Sequence, residues 1–168
     1  ALGPAAILEA SYQLDLHDWD IPNAWETPIY WQQEAVAIAN LNQEIRPLAA
    51  AHIEALEQAQ NMDKDRLKRV NSACVLFNDM VYQHTIKLLR LGKKVGLVGG
   101  DHSVPLGYLK ALAVLHPSFG ILQIDAHCDL RAAYESFLYS HASIFYNALE
   151  SIPQISHLTQ IGIRDTCQ

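Results

Sequence analysis

Val98-Gly99-Gly100-Asp101-His102-Ser103 and, two dozen positions on, Asp125-Ala126-His127-Cys128-Asp129 decide how this chain is read. Each closes an apolar stretch, residues 94–98 in the first case and 119–124 in the second, that reads as a buried strand. Gly99-Gly100 permits a sharp exit from the first. In the second, Asp, His and Asp alternate with Ala and Cys, and residues i, i+2 and i+4 of an extended segment project to one side. Asp125, His127 and Asp129 are therefore expected to converge, with Ala126 and Cys128 turned away into packing. Two carboxylates and an imidazole aimed at one point call for a compensating cation.

Working outward, residues 4–14 read as a short helix with an early proline, 14–19 as a short strand, and 20–31, with its prolines and tryptophans, as a loop. A long helix is expected over 30–60, interrupted near Pro47. A second is expected over 64–90, where Leu67, Val70, Cys74, Phe77, Val81 and Leu88 recur at three- and four-residue intervals. Ser103 reads as the N-cap of a helix over 104–115, closed by His116-Pro117. Another strand is expected over 158–163. Alternating strands and helices predict an α/β fold, three layers around a mostly parallel, doubly wound sheet. Ligands in such folds gather at the carboxyl ends of strands, where both motifs fall.

The chain has 168 residues, half of them hydrophobic and 18% charged, which suits a globular domain and argues against disorder. A net charge of −6 supplies no basic stripe, so nucleic acid is not an expected partner. No apolar run approaches the roughly 18 residues of a membrane span. The three cysteines, Cys74, Cys128 and Cys167, are odd in number and irregularly spaced, which reads as reduced thiols in a cytoplasmic protein. His84 is expected to be a satisfied core histidine, whereas His17, His52, His116 and His157 read as surface or capping residues.

Gly-Gly-Asp-His-Ser together with Asp-Ala-His-x-Asp resembles the paired signature of the ureohydrolases, the family of arginase, agmatinase and formimidoylglutamase. The resemblance extends through Tyr134-Glu135, Tyr139-Ser140-His141-Ala142-Ser143 and Ile161-Gly162-Ile163-Arg164-Asp165, and back to the Gly3-Pro4 helix. It implies an arginase-like fold and a centre of two Mn2+ ions. His102, Asp125 and Asp129 would hold one ion and His127 and Asp125 the other, with Asp125 bridging. An oxygen-rich ligand set with few imidazoles suits Mn2+ better than Zn2+. The implied reaction is hydrolysis of a guanidino compound, with Asp129 taking the proton of the attacking water and His141 acting as proton shuttle or substrate contact. Asp101 would orient a ligand from behind or cap backbone amides.

The family carries a further Asp-x-Asp and a guanidinium-binding Glu nearer its C-terminus, and a strand before the first helix. Residues 1–168 show none of these, so they are expected to be a single partial arginase-like domain, inactive alone. The loop over 130–139 lacks the small polar run with which arginases grip the amino-acid end of arginine. It resembles the agmatinase branch, although that branch often has Gly where Ser136 stands. Glu135 would meet the far ammonium of agmatine, or else pair with Arg131 across one helical turn. Agmatine hydrolysis to urea and putrescine, a step of arginine metabolism and polyamine biosynthesis, is the leading expectation, in a homo-trimer or hexamer by resemblance. Arginase, guanidinobutyrase and formimidoylglutamase remain alternatives, the last two because Arg131 could clamp a substrate carboxylate. A single-zinc deacetylase of the same fold and a catalytically incomplete assembly subunit are the alternatives of other classes.

Overall fold

In a computed structural model, residues 3–32 and 35–165 are described, so Ala1, Leu2, Cys167 and part of the expected 30–60 helix lie outside them. Helices α1 (Gly3–Ser11), α2 (Val36–Glu57), α3 (Lys64–Arg90) and α4 (Pro105–Leu115) precede strand β1 (Phe119–Ile124). Helix α5 (Ile144–Ser151) and strand β2 (Ile155–Ile161) follow. β1 and β2 pair in parallel, Ile121 opposite Leu158 and Gln123 opposite Gln160. The connection through α5 is the crossover that parallel pairing requires. Helices around a parallel sheet make this an α/β fold.

α3 is a long helix because its ends are secured. The Asp63 carboxylate accepts hydrogen bonds from the backbone N–H groups of Asp65 and Arg66, both at 3.0 Å, and Lys87 and Arg90 sit at the negative end of the helix dipole. It packs against both α2 and α4. Val70 and Val81 are buried as the periodicity predicts, but so are Ala73, Asn78, Thr85 and Ile86, because a helix with two neighbours must bury two stripes. α2 runs through Pro47 without the expected interruption. Pro47 and Gln43 are both exposed, so the carbonyl that loses its i+4 donor is solvated and the packed face continues.

The core lies where α4 and α5 meet the sheet. Leu106, Leu109, Ile144, Phe145, Ala148 and Ile152 form it, flanked by Phe119, Ile121, Ile155 and Leu158 of the strands. Among the described residues the opposite sheet face is open, with Leu122 and Ile124 exposed.

Three local expectations are corrected. Residues 94–98 form no strand and are largely exposed: a strand exists only through backbone hydrogen bonds to a neighbouring strand, and among the described residues this stretch has no such partner. Residues 14–19 are irregular rather than a strand, because Asp15 and Asp18 side chains capture the backbone N–H groups of His17, Asp20 and Ile21. α4 is capped without Ser103: Val104 holds the N-cap position. Pro105, at the start of the helix, offers no N–H to cap, while the Asp101 carboxylate accepts from both the backbone N–H and the hydroxyl of Ser103, at 2.8 and 2.6 Å.

Candidate metal centre

β1 delivers Asp125 past its last residue, and parallel pairing continues there: the Asp125 N–H donates to the Ile161 carbonyl at 3.0 Å and His127 bridges Asp165. Gly162, at φ +91, permits this close run, since a side chain on it would meet the Asp125 carbonyl. The chain then turns, and the extended alternation anticipated for Asp125, His127 and Asp129 does not persist. Asp129 adopts a left-handed conformation, φ 53, and its carbonyl accepts from the Phe145 N–H at 3.1 Å at the start of α5. The turn, rather than the pleat, brings Asp129 inward, where it is buried.

His102 arrives from the loop before α4 and meets these carboxylates. Its Nδ1 lies 2.6 Å from Asp129 Oδ2 and 3.0 Å from Asp125 Oδ2. Its ring stands edge-on to Phe145, centroids 5.4 Å apart. One ring nitrogen carries at most one proton and cannot serve two carboxylates as a donor. The ligand atoms of His102, Asp125 and Asp129 all lie within 4.8 Å of one another, and a nitrogen and two carboxylate oxygens form a donor set that fits a divalent cation. The Asp125 carboxyl is held below the usual carboxylate range, chiefly by the His127 N–H and further by the Gln123 side chain and His102.

His127 is outside this trio. Its side chain is 62% exposed, and its Nδ1 is 3.5 Å from the other Asp125 oxygen, Oδ1. Asp125 therefore turns one oxygen to each histidine. Cys128 is half-buried and not in the cluster. The Asp101 carboxylate has its partners in its own turn, on Ser103.

The support beneath this loop was not anticipated from the sequence. Gln123, buried in an otherwise apolar strand, donates to the His127 carbonyl at 2.9 Å, and its register partner Gln160 donates to the Cys128 carbonyl at 2.8 Å. A lone glutamine between Leu122 and Ile124 is the signal that pointed to it.

The 130–139 loop contains a tight hairpin. Tyr134 and Phe137 exchange backbone hydrogen bonds of 3.1 and 2.8 Å, and Glu135 and Ser136 have φ of 51 and 67, the signature of a type I′ turn. No helix is present, so the expected one-turn helical pairing of Arg131 with Glu135 is ruled out; the Arg131 guanidinium instead lies over the Tyr134 ring, 5.5 Å from its centroid. His141 is exposed, opens a 3-10 turn and lies edge-on to Tyr134, with centroids 5.5 Å apart. Tyr134, Glu135 and His141 line a cleft of about 820 Å³ that also reaches Gly99, Gly100 and Asp101. Two histidine expectations are reversed. His84 is exposed, with Nδ1 2.8 Å from the Met80 carbonyl of its own helix. His52, expected at the surface, is completely buried, because α2 turns this face onto the hairpin.

The Arginase family model matches residues 1–168. Over 86 residues the chain is 40% identical to N(1)-aminopropylagmatine ureohydrolase of Thermus thermophilus, covering 51% of this chain and 28% of that one. Agmatinase of Proteus mirabilis is 36% identical over 110 residues, 60% of this chain and 35% of that protein. Proclavaminate amidinohydrolase of Streptomyces clavuligerus is 31% identical over 87 residues, 51% and 28% of the two chains. The chain thus spans about a third of the length of the curated relatives it matches. Among solved structures, arginase from Medicago truncatula superposes with a TM-score of 0.52 at 26% identity, over 61% of this chain and 34% of that one. With the family model matched from end to end, the chain belongs to the arginase family.

Proposed function

We propose that the protein is a manganese-dependent amidinohydrolase that cleaves a guanidino compound, agmatine foremost, to urea and an amine. The observation that carries this reading is the convergence of His102 Nδ1 with the Asp125 and Asp129 carboxylates. The agmatinases and related ureohydrolases among its relatives support the substrate class. His102, Asp125 and Asp129 would hold one Mn2+. Asp125 and His127 would contribute to a second, a role supported by the two-sided placement of the Asp125 carboxylate. When bound, such a pair of cations lowers the pKa of a water and so supplies a nucleophile at neutral pH.

The side chains account for the rest. Water adds to the guanidinium carbon, the bond from that carbon to the alkyl-bearing nitrogen breaks, and the products are urea and a protonated amine. The nitrogen that leaves must gain a proton, and Asp129 Oδ2, beside the reaction centre, is the group that takes the water's proton and passes it on. His141, exposed at the cleft, exchanges protons with solvent. Glu135 lines the same cleft and offers its carboxylate to the distal ammonium of agmatine, a group that arginine replaces with an α-amino acid.

The test is urea or formamide release by the full-length protein loaded with Mn2+, measured on agmatine, arginine, 4-guanidinobutyrate and formiminoglutamate. Agmatine is expected to be turned over fastest. A preference for either carboxylate-bearing substrate that lacks an α-amino group would replace the Glu135 assignment with an Arg131 clamp, and inactivity on all four would end the reading.

A further inference from the structure

His52 is the buried polar side chain for which the catalytic scheme has no use. It sits in the C-terminal half of α2 with no solvent exposure. Its Nε2 lies 3.0 Å from the backbone carbonyl of Glu135, 83 positions along the chain. A carbonyl only accepts, so Nε2 carries the proton and Nδ1 is left bare. That Nδ1 is buried and has no hydrogen-bond partner among the described residues. The ring also packs on Phe137, centroids 5.0 Å apart at 58°.

A leucine or phenylalanine would fill this volume without burying an unpaired nitrogen, which is unfavourable. The imidazole is therefore a poor choice for packing alone, and what it supplies is a directed hydrogen bond to one carbonyl. That carbonyl belongs to a residue at φ 51, next to another at φ 67, a backbone state that non-glycine residues resist unless their surroundings impose it. The other side of the hairpin is held as well. Asn71 of α3 accepts from the Leu138 N–H at 3.0 Å, and Asn147 of α5 donates to the Leu138 carbonyl at 2.8 Å. The hairpin tip is thus hung from three helices, and His52 is its contact at Glu135.

We propose that His52 is a positioning residue for substrate selection: by fixing the Glu135 carbonyl and the Phe137 ring it sets the hairpin that presents Glu135 to the cleft. This deepens the amidinohydrolase reading and rests on it. The mechanism requires no proton transfer at His52, only its reach, so a side chain with an N–H at the same distance should substitute.

The experiment compares the full-length wild type with His52→Phe, which keeps a ring and removes the donor, and His52→Gln, whose amide reaches the same carbonyl. His52→Asn, too short to reach, replaces His52→Phe if that variant does not fold. Hydrogen exchange read by mass spectrometry is expected to show the Phe137 and Leu138 amides opening about tenfold faster in His52→Phe, the scale of one lost hydrogen bond, and close to wild type in His52→Gln. In steady state with Mn2+, KM for agmatine is expected to rise about tenfold in His52→Phe while kcat stays within about twofold, with rescue in His52→Gln. Unchanged exchange at these amides overturns the proposal. Faster exchange with unaltered KM also overturns it, since the contact is then merely structural. Should the wild type hydrolyse no guanidino substrate, the functional reading fails and exchange alone decides whether His52 holds the hairpin.

Discussion

Gly107→Ala is a one-carbon change that strains the frame of the candidate metal centre. Gly107 is buried in α4 where that helix crosses α3. A β-carbon placed there would collide with the Asn78 carbonyl oxygen and stand 2.9 Å from both the Tyr82 nitrogen and the Val81 β-carbon. Two of the three obstacles are backbone atoms, which cannot rotate aside, so the helices must part. Overpacking of this kind costs about 1–3 kcal/mol, and the backbone contact places this case at the upper end. Alanine's better helix propensity returns about 1 kcal/mol. The net expectation is destabilisation by about 2 kcal/mol, or about 4–8 °C in Tm for a domain of this size. α4 begins three residues after His102, so its displacement should also weaken Mn2+ binding. Thermal melts and denaturant titrations of wild type and variant measure the first effect, and calorimetric titration with Mn2+ the second. A variant as stable as wild type, or stabilised by the propensity term alone, would refute the close helix crossing and the argument built on it.

Asp129→Asn and Asp125→Asn remove one proposed anionic ligand each and are expected to lower Mn2+ affinity by at least about 100-fold, beyond the 10–100-fold typical of residues that only support ligands; equilibrium dialysis reads it. Ser136→Gly relieves a left-handed residue in the type I′ turn; relief of about 1–2 kcal/mol is opposed by glycine's greater freedom when unfolded, leaving a gain near 0.5 kcal/mol in denaturant melts. Asp63 has its carboxyl lowered, first by the Arg66 N–H. A carboxyl lowered in the folded state stabilises above its unfolded pKa of about 3.9 and loses that contribution as pH falls through the folded value. Asp63→Asn, which keeps a cap without the charge, should therefore make the acid limb of the stability–pH curve shallower, and an unchanged limb would show that the cap is not charge-assisted.

The parallel pair and the long helices were legible in the sequence because they rest on local patterns: the run Phe119–Ile124 and the spacing of Val70, Cys74, Phe77 and Val81. α5 was not, since Ile144, Phe145 and Ala148 follow a loop whose motif drew attention to chemistry instead of periodicity. The convergence of Asp125 and Asp129 was anticipated for a reason that is only half right, as the left-handed turn at Asp129 replaces the strand alternation. His127 reads identically to its neighbours in the motif yet stands exposed, because side-chain direction beyond a strand end is set by the loop and its glutamine supports. His52 reads as a surface or capping residue in the sequence because nothing in its helix announces a partner 83 residues away. Long-range contacts of single side chains leave no periodic trace.

His102, Asp125 and Asp129 are proposed to bind a catalytic cation together. Crystals of the full-length protein grown with Mn2+, with anomalous diffraction recorded at the manganese edge, test it most directly. An anomalous peak coordinated by His102 Nδ1 and by the carboxylates of Asp125 and Asp129 is expected. A manganese bound elsewhere while these three side chains keep only one another for company would contradict it.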